Sequence, residues 1–192
     1  MEDFGLYFKT GWSHIISAEA TDHILFLIAL AAVYSFRHIS RVLILVTAFT
    51  IGHSLTLALS ATNVISFKSE VVEFLIPVTI VITAAYNIFG KINFHYKVNY
   101  ILALLFGLVH GMGFANTIKF MLAESQSLTI PLLSFNLGIE AGQIVLVALI
   151  LLLQYIFVSK FKISEKWWVN GISIVPLAWG FIMAVERLNF DL

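Results

Sequence analysis

Apolar residues along this chain come in long unbroken runs, not in the period-two alternation of half-buried strands. Six runs approach the about 20 residues a helix needs to cross a hydrocarbon core of about 30 Å: 22–36, 40–61, 71–89, 98–116, 130–158 and 168–185. The charged residues fall mostly between them. The pattern predicts an all-α polytopic membrane protein, a bundle of six transmembrane helices forming one integral membrane domain over residues 1–192. Ahead of the first run, "FGLYFKTGWSHII" mixes apolar and polar positions at helical spacing, which predicts a short N-terminal helix in the membrane interface. No Pro-, Ser- or Gly-rich linker and no low-complexity tract divides the chain.

Composition agrees. The chain is 60% hydrophobic and only 11% charged, with a mean hydropathy of +0.96, where a soluble domain carries about 25% charged residues. Lys plus Arg equals Asp plus Glu at 11 each, so no basic surface is offered to nucleic acid. The absence of cysteine removes disulfides, thiolate ligands and thiol nucleophiles together. Any metal must therefore be held by nitrogen and oxygen. The first residues lack the basic and apolar regions of a cleaved signal peptide, so the N-terminus is expected to be mature as written.

Counting bases predicts the orientation. The loops after the first, third and fifth runs hold Arg37, Arg41, Lys91, Lys97, Lys160, Lys162 and Lys166, whereas Lys9, Lys68, Lys119 and Arg187 lie on the other side. By the positive-inside rule both termini are outside.

The polar residues inside the runs carry the candidate chemistry. The first run opens with Asp22 and His23, two groups that hydrocarbon penalises. Measured from the basic anchors at 1.5 Å per residue, His53, His110 and His23 stand roughly 18, 20 and 21 Å above the inner surface. Three histidines on three helices thus share one layer. Glu140 enters the outer half from the fifth run, with Asn136 and Gln143 on its face of the helix. Gly138 and Gly142 form a small-xxx-small pair on roughly the opposite side, where another helix can pack closely. His14, on the interfacial segment, is placed over the recess as a gate or an additional ligand. Taken singly, an intramembrane histidine is explained as interhelical glue and Asp22 as a helix N-cap. His38 and His95 read as solvated loop residues. Together, three histidines and two carboxylates in one layer are the inventory of a divalent-metal site.

Four segments, "GWSHIISAEATDHILFLIAL", "TAFTIGHSLTLAL", "LFGLVHGMGFAN" and "FNLGIEAGQ", resemble the successive signatures of the HupE/UreJ family, particularly its second branch, in the family's order. The resemblance implies a histidine-rich helical protein of the bacterial inner membrane, regarded as a nickel or cobalt permease and named after hydrogenase and urease accessory proteins. Carried over residue by residue, the family's polar positions fall on His14, Asp22, His23, His53, His110 and Glu140. The permease form has His-Pro and a glycine before its Asp-His pair; here Ile15 follows His14, and Ala18 and Glu19 occupy the intervening loop.

Imidazole with carboxylate suits zinc, nickel, cobalt, iron or copper(II), with nickel, cobalt or zinc expected here, and Asp22 or Glu140 is either a ligand or the partner that orients a histidine. The inner halves of the helices offer mainly Thr47, Thr50, Thr83, Tyr86, Asn87 and Gln154, so the site is biased outward. Three readings stay open. One is a transition-metal permease; another is a membrane-embedded metalloenzyme acting on a membrane or lipoprotein substrate, with Glu140 or Asp22 as general base; the third is a structural accessory. The expected partners are the metal ion and the lipid bilayer, with a second copy of the chain or a membrane substrate left open.

Overall fold

The structure is a computed structural model that describes residues 2–17, 20–90, 96–114, 117 and 128–188, without the side chains of residues 2, 3 and 96–99. Ala18, Glu19, Lys91, His95, Asn116 and Lys119 lie outside the described residues. Among the described residues seven α-helices follow in order: α1 Glu2–Ile16, α2 Thr21–Ala31, α3 Ile39–Ala61, α4 Ser69–Phe89, α5 Tyr96–Gly113, α6 Thr129–Gln154 and α7 Glu165–Glu186. A 3-10 turn, Phe36–His38, leads into α3, and a π-helical turn, Tyr155–Lys160, extends α6. No strand occurs among the described residues, and the protein is an all-α polytopic membrane fold.

Four segments among the described residues are long and apolar enough to cross a bilayer: Phe36–Ala61, Ser69–Phe89, Thr129–Lys160 and Glu165–Glu186. The first run behaves differently from its expected extent of 22–36. Helix α2 stops at Ala31, and 11 residues reach only about 16 Å. Extended backbone at Ser35 then intervenes before the 3-10 turn. What α2 lacks in length α1 supplies: the two are bent by 68°, and together they have the length and apolarity of one crossing. Helix α5 is also short, its described apolar part covering Tyr100–Gly113.

The helices pack chiefly in three pairs: α3 with α5, α1 with α6, and α4 with α7. Small residues bring the first two pairs together. A Cβ at Gly52 would overlap the carbonyl oxygen of Leu104, and one at Gly107 would overlap that of Phe49. Helices α3 and α5 therefore touch backbone to backbone, as small-residue stripes permit in membranes. Gly138 of α6 accommodates the Phe8 carbonyl of α1, and Gly142 sits against Ile15, so the small pair predicted as a packing face receives the N-terminal helix.

Candidate metal centre

Close packing of these pairs brings histidines from separate helices together. One ring nitrogen each from His14 on α1, His23 on α2 and His53 on α3 lies within 4.8 Å of the other two. Nitrogens around a tetrahedral zinc-like ion, at bond lengths of about 2.0–2.1 Å, stand about 3.4 Å apart. Modest ring rotation would close the triplet onto an ion. His110 on α5 stands beside it, its ring centroid 5.2 Å from that of His23.

Two of the rings have their protonation set by a neighbour that can only accept. His23 Nδ1 donates to Asp22 Oδ1 at 2.9 Å, and the His23 backbone amide donates to the same oxygen at 2.8 Å. His110 Nδ1 donates to the carbonyl of Phe106 at 2.8 Å. In a neutral imidazole this leaves the Nε2 lone pair free, and Nδ1 bonds of this kind orient metal-binding histidines. The N-cap of α2 is Ala20, with no side-chain cap, so Asp22 orients His23 and does not cap the helix.

The free nitrogens are buried. His14 Nε2, His23 Nε2, both ring nitrogens of His53 and His110 Nε2 have no hydrogen-bond partner among the described residues. His53 is wholly buried. Asn136 Oδ1 also lacks a partner among the described residues, while its Nδ2 donates to Leu132 O. Each such atom is unusual, since buried polar groups are almost always paired. Side chains poised as acceptors without a donor fit a cation.

His14, Asp22, His23 and His110 line a half-open cavity of about 480 Å³ whose rim carries Glu73 and Arg187. Phenylalanine rings pack around the histidines, Phe114 among them lining the cavity. Phe26, Phe49 and Phe106 pack against one another and against His110. Phe114 and Phe135 stack, 5.1 Å apart at 5°, and both rings touch that of His14.

Glu140 is placed elsewhere. Its Oε1 accepts from the Thr47 hydroxyl at 2.7 Å, in a lateral groove between α3 and α6 that also includes Asn136. Gln143, on the same seam, accepts from Thr50 at 2.8 Å. Of the sequence candidates, His14, His23 and His53 form the close triplet, with Asp22 holding His23 and His110 adjacent; Glu140 is not among the residues lining the histidine cavity. Sequence reasoning did not pick out Arg187, Glu73 or the phenylalanine rings. The last had a signal: Phe26, Phe49 and Phe106 each stand one helical turn from a site histidine, at spacings of three or four residues.

The family model described as HupE / UreJ protein matches residues 1–187. The chain belongs to the HupE / UreJ family. No curated protein and no solved structure matches it. Membership spans the whole described helical bundle, so the histidine cluster of this HupE / UreJ protein lies within the matched region.

Proposed function

We propose that this protein is a permease for a divalent transition-metal cation of the nickel, cobalt or zinc type. His14, His23 and His53 hold the ion, His110 stands ready as a fourth nitrogen, and Asp22 fixes His23. The reading is carried by one observation: five buried imidazole nitrogens without partners on four helices, those of His14, His23 and His110 lining one cavity and those of His53 beside them. An unpaired buried polar group costs about 1–3 kcal/mol, and a cation supplies the missing partner for several at once. The positive-inside count puts both termini and the mouth of the cavity outside, so the site captures the ion externally. Glu140, hydrogen-bonded to Thr47, contributes negative charge along the α3–α6 seam.

A second reading, a membrane-embedded metalloenzyme, draws on the phenylalanine rings packed against the histidines, which offer an ion no polar contact. Reconstituted vesicles separate the two. The permease should take up Ni²⁺, Co²⁺ or Zn²⁺, with uptake abolished by His53→Ala and reduced by Glu140→Gln. Protein that keeps a stoichiometric metal through dialysis, yet moves none into vesicles, would overturn the permease and favour the enzyme.

A further inference from the structure

The histidine cavity is larger than a bare cation needs. At about 480 Å³ it falls in the range of small-molecule pockets. Its rim also carries Arg187, a group that stays protonated at any physiological pH and presents N–H donors that a bare cation cannot use. Resting on the metal-site reading above, we propose that the cation is held together with an oxyanion, a carboxylate or phosphate group that fills the cavity between the histidines and Arg187.

The hydrogen-bonding of the wall favours this. Arg187 Nη1 donates to the backbone carbonyl of Glu73 at 2.7 Å, which anchors the guanidinium at the rim. No carboxylate among the described residues pairs with it. The two carboxylates of the cavity are already engaged: Asp22 Oδ1 by His23, and Glu73 Oε1 by the Ser69 hydroxyl at 2.9 Å. The fork of N–H donors that Arg presents suits carboxylate and phosphate oxygens. Ser13 and Ser17 of the α1 end add hydroxyl donors to the same cavity. Histidines alone bring no charge to offset a divalent ion, and Asp22 and Glu73 bring two negative charges against the one positive charge of Arg187. An oxyanion supplies more, and it offers oxygens both to the cation and to Arg187. The same chemistry is offered by a dissolved anion that chelates the metal and by the headgroup phosphate of a lipid.

Co²⁺ titrations of the full chain in a maltoside detergent free of phospholipid test this, because the visible spectrum of Co²⁺ reports its ligands. Inorganic phosphate should tighten Co²⁺ binding about tenfold, the worth of one charge-assisted hydrogen-bonded contact, and should change the Co²⁺ spectrum. Arg187→Gln should erase the phosphate effect while leaving Co²⁺ affinity without phosphate within about twofold, which also shows that the variant is folded. Arg187→Lys should restore part of it. A response to added phosphatidylglycerol but not to phosphate supports the proposal and names the lipid headgroup as the source. Co²⁺ binding that ignores both anions, or an anion effect that survives in Arg187→Gln, overturns it. No Co²⁺ binding under any condition overturns the metal-site reading itself.

Discussion

Two cavities of equal size sit at opposite ends of the bundle, and they differ in one respect that matters. The histidine cavity lies where α1 ends and α2 begins; the other, also about 480 Å³, lies where α2 and α4 end and α7 begins, lined by Tyr34, Tyr86, Asn87, Gln154 and Trp168. Both are rich in polar and aromatic side chains. In the second, polar groups are spent on the protein itself. Asn87 Nδ2 donates to Ala29 O at 2.7 Å and lies 3.2 Å from Ser173 Oγ, and Trp168 Nε1 donates to Ala32 O at 3.1 Å. No buried side-chain atom lining it lacks a partner among the described residues. The unpaired imidazole nitrogens of His14, His23 and His110 line the first, with those of His53 beside them. Polar inventory alone does not mark a site. Unspent hydrogen-bonding capacity does.

That contrast is broken most directly by matched substitutions. His53→Ala should lower metal affinity by more than about a hundredfold, beyond the 10–100-fold range of losing an orienting group alone. Asn87→Ala should leave affinity unchanged and instead cost about 1–3 kcal/mol of stability, because it strands the Ala29 carbonyl. Calorimetric metal titration and thermal melts read the two separately, and equal metal loss in both variants would erase the distinction.

Next in size is a substitution that touches no polar group. Gly107→Ala would drive a methyl into the Phe49 carbonyl, so α3 and α5 must separate, at about 1–3 kcal/mol for overpacking. Phe49 and His53 would shift with α3, so melting temperature and metal affinity should fall together. Gly171→Ala is the control, since nothing lies within 4 Å of a Cβ there.

The smallest expected effect sharpens the electrostatic side. Asp22→Asn keeps an acceptor for His23 but removes its charge, and metal affinity should fall about 10–100-fold. An unchanged affinity would show that His23 is held by packing alone.

The fold was legible where it depends on local chemistry. Long apolar runs mark α3, α4, α6 and α7 because hydrocarbon demands internally satisfied backbone, and Ser164 caps α7 by accepting from the Trp167 amide. The ends of the first run were not legible. Residues 32–36 are apolar enough to continue α2, yet the backbone extends at Ser35. Equal depth identified His23, His53 and His110 as neighbours, because anchor counting fixes height along a helix. It says nothing of azimuth, so Glu140 passed the height criterion while facing the groove of Thr47. His14 gained its central place through the seating of α1 on Gly138 and Gly142, a contact between residues more than a hundred positions apart.

The pairing of helices gives the histidines a mechanical meaning. His53 and His110 ride on the α3–α5 pair, His14 on the α1–α6 pair, and His23 on the short α2, which contacts the α4–α7 pair. Each pair packs chiefly within itself. A cation gripped by His14, His23 and His53 is therefore a rivet through three separately packed bodies, and its binding energy adds to their cohesion.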